Sequence, residues 1–172
     1  MRYFAFRYAE SCAVPFLDLL PPEHVCARLV VEGKLQLLDH VARMLARDAD
    51  EQEAIAAALI QREKLGSTGL GHGVAIPHAR MEGISEVRAA LIQLAEPIAF
   101  DAIDGQPVDL IAAMVVPEHS PEQHLHLLAE LAELFSSTEL TTAMRRASDG
   151  SALREELAEF VRNKTKSPTW ID

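Results

Sequence analysis

Apolar residues recur at helical spacing between Lys34 and Arg47, at Leu35, Leu38, Val41, Ala42 and Leu45. That period predicts an amphipathic helix with those five positions on its buried face. A second helix is predicted to run to about Lys64, opened by a capping box at Asp50-Glu51-Gln52-Glu53 with Asp50 as the cap and Glu53 reaching back. Its inner stripe is Ile55, Leu59 and Arg62, at i, i+4 and i+7. An arginine closing an apolar stripe stands out, because burying a charge without a partner is expensive. The period then changes. Val74-Ala75-Ile76 is a short apolar run stopped by Pro77, and Val87 to Leu94 is another. Val108 to Val116 is long and almost continuously apolar, as expected for a central strand covered on both faces, and Pro117 ends it. Asp104-Gly105-Gln106-Pro107 has the residues of a turn between strands. Helical patterns resume near Pro121, Glu139 and Ser151. Helices, then strands, then helices predict a mixed α/β (α+β) fold. It is a mixed parallel and antiparallel central sheet with helices on both sides.

The chain has 172 residues, which suits one domain, and 49 % are hydrophobic, enough for a core. No apolar run approaches the roughly 20 residues of a membrane span, so the protein is expected to be soluble and not membrane-inserted. A net charge of −10 argues against a nucleic-acid surface, which wants a basic face. It fits a cytoplasmic protein. Cys12 and Cys26 form no Cys-x-x-Cys pair, and they read as free reduced thiols. Arg7 and Glu10 interrupt the aromatic-rich N-terminus, which makes a poor signal peptide. Residues 1–16 read as an N-terminal extension and residues 17–162 as the folded domain. Residues 163–172 read as a loose polar tail in which Trp170 can dock.

The chemistry gathers where the glycines do. Gly66, Gly69, Gly71 and Gly73 are half of the eight glycines. Glycine is costly to order, so a cluster marks backbone that turns sharply or approaches a ligand. A strand ended by Pro77 would present His78 at the end of a rigid element, with Arg80 two residues on. An imidazole placed that way can be a base, a metal ligand or a phosphate acceptor.

Arg62-Glu63-Lys64-Leu65-Gly66-Ser67-Thr68-Gly69-Leu70-Gly71-His72-Gly73-Val74-Ala75-Ile76-Pro77-His78 resembles the active-site signature of the fructose/mannitol-type enzyme IIA of the bacterial phosphotransferase system. The segment Pro97 to Leu110 resembles the nitrogen-regulatory branch more than the sugar-specific ones, and His124-Leu125-His126-Leu127-Leu128 resembles the family's second histidine segment. The resemblance runs from about Leu17 to Val161. It implies the same mixed architecture. It also implies that His78 accepts a phosphoryl group on Nε2 and that no metal or organic cofactor is needed. One departure is His72, where the family often has asparagine between the two glycines.

A phosphohistidine site needs one ring nitrogen free to attack, the other held by a hydrogen bond, and donors for the phosphoryl oxygens. Glycine-rich backbone can supply such donors, which makes Gly73 a candidate. His124 is placed by its helix. Ser120 is the expected cap, Pro121 the first helical residue, and His124 shares a face with Leu128, Leu131 and Phe135. His126 falls with Glu130 and Glu133 on a face expected to be solvated. His124 thus points inward, either as a satisfied core histidine or, as the resemblance implies, as the group that orients and stabilises phospho-His78. Arg62 can bind phosphate oxygens in a bidentate way or complement the helix dipole. Ser67 and Thr68 offer hydroxyls to a phosphate, with Thr68 favoured by family position. Arg80 can meet a phosphate, a partner or only solvent.

Three functions remain. The leading one is a nitrogen-regulatory enzyme IIA. It would take phosphate from a histidine-containing phosphocarrier protein and control regulatory target proteins by its phosphorylation state. Stand-alone sugar-specific IIA activity, passing phosphate to a IIB protein, is the variant of this reading. A pure interaction module is the second, against which both histidines speak. A metal-dependent hydrolase is the third. His124 and His126 diverge by about 200° on a helix, since each residue advances about 100°, and no His-Glu-x-x-His motif is present.

Overall fold

The computed structural model describes residues 15–166. The aromatic-rich stretch through Val14, with Cys12, and the residues around Trp170 lie outside the described residues. Two short 3-10 turns, Phe16–Leu19 and Pro22–His24, lead into strand β1, Val25–Leu29. Helices α1, Lys34–Leu45, and α2, Ala49–Lys64, follow. Strands β2, Gly69–Gly71, β3, Val74–Ala75, β4, His78–Met81, β5, Arg88–Ile98, and β6, Val108–Pro117, come next. Helices α3, Pro121–Phe135, α4, Thr138–Arg145, and α5, Gly150–Lys166, end the described chain.

The six strands form one mixed sheet in the order β1-β5-β6-β3-β2, with β4 also on β6. β1 runs parallel to β5, β5 antiparallel to β6, and β3 and β4 parallel to β6. β6 is the spine. Its alternate side chains explain why its apolar run is continuous. Leu110, Ala112, Met114 and Val116 pack with Leu127, Leu131, Phe135, Leu140 and Leu157 of α3, α4 and α5. Ile111, Ala113 and Val115 pack with Leu37, Val41, Leu45, Ile55 and Leu59 of α1 and α2. Both faces are covered, and burial of each such side chain contributes on the order of 1.5–3 kcal/mol.

Several local expectations shift. The cap of α2 is Asp48, whose carboxylate accepts from the Glu51 N–H, two residues before the expected Asp50. Glu51 rather than Glu53 is the acid that reaches back, to the Arg47 N–H at 2.7 Å. Tertiary structure recruits it, because the same carboxylate binds Arg88 at 2.6 Å across the fold. In α1, Leu35 is 65 % exposed and Leu37 takes the buried place beside Leu38. The helix rolls so that its face follows the sheet beneath it. Ser120 makes no side-chain cap bond to α3, and its carbonyl accepts from the His124 N–H instead. Phe16, just before the expected domain start, is fully buried in the core. Past residue 162, α5 continues to Lys166. No described helix is long and apolar enough to cross a membrane.

Candidate functional site

The line of β3 does not stop at Pro77. β3 pairs Val74 with Leu110, and β4 pairs His78 with Met114, in the same register along β6. Proline lacks an N–H but keeps a carbonyl, and that carbonyl still accepts from the Met114 N–H at 3.0 Å. His78 therefore opens the resumed strand rather than capping a finished one. Its ring lies where the C-terminal end of α2 and the first turn of α3 converge.

The ring is held at both nitrogens. Nδ1 lies 2.7 Å from the Ile76 carbonyl oxygen. A carbonyl only accepts, so Nδ1 carries the proton and Nε2 the lone pair. Arg62 donates from Nε to that Nε2 at 3.2 Å and from Nη1 to the Gly66 carbonyl at 3.0 Å. Burial pushes the His78 pKa below its ordinary value, and the Arg62 charge pushes the same way, against the Ile76 bond. The ring is neutral at pH 7.

His124 stands opposite, its ring centroid 5.1 Å from that of His78 and tilted by 50°. Its Nε2 is buried and has no hydrogen-bond partner among the described residues. Burial, with smaller contributions from His78, Arg80 and Arg62, pushes its pKa down to about 4. His124 turns inward as predicted, but the buried stripe beside it is Leu127, Leu131, Leu134 and Phe135, and Leu128 of the expected face is only partly buried. The opposite face is not simply solvated. The Glu130 carboxylate accepts the Phe16 N–H at 3.1 Å, and burial pushes its pKa up. Glu133 pairs with Lys164.

The structure brings together His78, His124 and Arg62, with the exposed Arg80 close enough to act on His124 by charge. It assigns other partners to the remaining candidates. Ser67 donates to the Phe100 carbonyl and accepts from the Gly69 N–H. Thr68 is buried and donates its hydroxyl to Glu63 at 2.6 Å. Gly73 lies five residues before His78, roughly 16 Å back by strand rise. It has φ +78°, and an added Cβ would sit 2.5 Å from Nη2 of Arg145 and 2.9 Å from Asp109. There Arg145 clamps the turn, pairing with Asp109 at 2.8 Å and donating to the His72 carbonyl at 2.7 Å. His72 is itself left-handed, with φ 53°, and its N–H goes to Asp104 at 2.8 Å.

Sequence reading passed over Glu63, Lys34, Asp109 and Arg145. The only available signal for Glu63 was an acid next to the arginine in the matched segment. Asp109 was visible as the one charge inside the apolar run of β6.

Residues 18–160 match the family of the phosphoenolpyruvate-dependent sugar phosphotransferase system, EIIA 2. The chain is 38 % identical to a nitrogen regulatory protein of Pseudomonas aeruginosa, over 79 % of this chain and 90 % of that one. A nitrogen regulatory protein of Bradyrhizobium diazoefficiens is 36 % identical over 84 % of this chain and 95 % of its own. Among solved structures, the nitrogen regulatory protein IIA-Ntr from Neisseria meningitidis superposes with a TM-score of 0.78 at 37 % identity. That match covers 82 % of this chain and 97 % of the other. This chain therefore belongs to the phosphotransferase-system EIIA 2 family and stands with its nitrogen-regulatory members.

Proposed function

We propose that this protein is a phosphoryl carrier of the nitrogen-regulatory type. It takes a phosphoryl group onto His78 Nε2 from a histidine-containing phosphocarrier protein and governs target proteins by its phosphorylation state. The observation that carries this is the ring of His78, with its proton placed on Nδ1 by the Ile76 carbonyl and its Nε2 lone pair turned to Arg62 and His124.

In the transfer, the Nε2 lone pair attacks phosphorus in line with the bond to the donor's ring nitrogen. The P–N bond of the donor breaks and its electron pair returns to that nitrogen. The Nδ1 proton stays in place, and the Ile76 carbonyl stabilises the positive charge that the ring acquires. The Arg62 Nε–H now occupying the lone pair moves aside as phosphorus arrives. Its guanidinium then faces the phosphoryl oxygens, where planar donors bind best. His124 supplies an N–H from Nε2 to another oxygen, giving that buried group a partner. Little covalent chemistry is asked of the protein, so positioning and charge do most of the work.

The test is phosphate transfer from phosphoenolpyruvate through enzyme I and the phosphocarrier, read by intact mass. One acid-labile phosphate on wild type and none on His78→Ala supports the assignment. No phosphate on wild type, with the phosphocarrier itself phosphorylated, rejects it. Loss of that phosphate to an added IIB protein would instead mark the sugar-specific role.

A further inference from the structure

The end of α2 reaches both nitrogens of the His78 ring, by two routes. Arg62 touches Nε2 directly. Its neighbour Glu63 works from the other side through backbone. The Glu63 side chain is only 7 % exposed, and its carboxylate accepts from Oγ1 of Thr68 at 2.6 Å and from the Thr68 N–H at 3.1 Å. The Thr68 carbonyl accepts the Ile76 N–H at 3.0 Å, and the Ile76 carbonyl accepts from His78 Nδ1 at 2.7 Å. Hydrogen bonds joined through the Thr68 and Ile76 backbone thus link a buried carboxylate to the nitrogen that must hold the proton. Lys34 of α1 balances the charge at 3.0 Å and is anchored in turn by Asp101 and by the face of Phe100.

Glu63 is costly to bury, and a charge taken out of water is retained only where its bonds are well satisfied. Among the described residues, two of the three donors that reach the carboxylate, a hydroxyl and an N–H, belong to one residue, Thr68, and the third is Lys34. Thr68 is also the residue whose carbonyl holds Ile76. A general packing role would not require that concentration.

Resting on the carrier reading, we infer that Glu63 is a positioning residue. It acts through Thr68 and Ile76 to hold the His78 ring in its orientation and in the tautomer with the proton on Nδ1. Glu63 touches neither the phosphoryl group nor the ring. Without it, Thr68 loses its anchor, the Ile76 carbonyl drifts, and the proton is shared between the two nitrogens. The fraction of molecules with a free Nε2 lone pair then falls.

The test reads the tautomer directly, by nitrogen-15 chemical shifts and long-range proton couplings of the His78 imidazole, without any phosphate. Wild type should show the Nδ1–H form, and Glu63→Ala a mixture. The transfer rate in Glu63→Ala should fall on the order of tenfold to a hundredfold, the range that small misplacements cost. The KM for the phosphocarrier should stay within about twofold, since binding is not altered. Glu63→Gln, which keeps an accepting oxygen for Thr68, should restore most of the Nδ1–H signal. Thr68→Val, which removes the hydroxyl at similar volume, reads the same route if Glu63→Ala fails to fold. A wild-type tautomer and rate in the folded variants would overturn the inference. If wild type takes no phosphate but the tautomer still shifts in the variants, the carrier reading falls and the positioning role stands.

Discussion

His78 and His124 are 5.1 Å apart, yet they are held in opposite ways. His78 belongs to a strand line whose register is set by β6, and both its nitrogens have partners. His124 belongs to the first turn of a helix, and its buried Nε2 has no hydrogen-bond partner among the described residues. A buried polar atom gains about 1–3 kcal/mol from a hydrogen bond, and in the proposed carrier a phosphoryl oxygen would supply one. The contrast separates two jobs. The strand histidine is fixed in advance, with its tautomer chosen. In the proposed carrier, the helix histidine is the one that would meet the oxygens of an arriving phosphoryl group.

The largest effect should come from the strand side. His78→Ala should remove phosphate uptake entirely, with an unchanged circular dichroism spectrum. A variant that still carries one phosphate on histidine would reverse the assignment of the two roles. On the helix side, His124→Ala should leave the acceptor in place and slow transfer by about a hundredfold, the loss typical of removing one charge-stabilising donor. Stopped-flow mixing with phosphorylated phosphocarrier measures it, and an unchanged rate would mean that His124 only fills space.

The third prediction concerns pH. In the folded protein, burial holds His124 at about 4, against about 6.5 when unfolded. Between those values the unfolded chain binds a proton and the folded chain does not. Stability therefore falls as pH drops from about 6.5 to about 4, by on the order of 1–3 kcal/mol once solvent screening is allowed for. His78, also lowered, adds in the same direction. Urea melts at pH 7 and pH 5 should show a smaller acid loss in His124→Gln than in wild type. Equal losses would break the link between burial and the helix histidine. The smallest effect is expected for His126→Ala, which sits about 200° away around α3 and should change transfer less than threefold. A loss equal to that of His124→Ala would overturn the placement of the helix face.

Much of the frame was legible along the chain. The continuous apolar run of β6 announced a strand covered twice, and helical period placed α1, α2 and α3 within a few residues. Burial follows local period whenever one face of an element meets the core. His124 could be aimed inward for the same reason. Matching of the glycine-rich segment led to His78 and Arg62 before any geometry was known.

Other features depend on which distant residues the fold brings together. Leu37 displaced Leu35 because the roll of a helix is set by the surface it packs on. Glu51 became the reaching acid because Arg88, 37 residues away, draws it. Glu130, expected in solvent, is half-buried against the Phe16 backbone. Glu63 and Asp109 find their partners only when the fold brings Thr68, Lys34 and Arg145 beside them. By itself, then, the sequence determined the order of elements, the covered central strand and the inward turn of His124. These rest on apolar period and backbone preference, which act locally. Only the tertiary structure decided the tautomer of His78, the burial of His124 Nε2 and the partners of the buried charges. Charges and hydrogen bonds depend on distances of a few ångströms, and those exist only once the layers have closed.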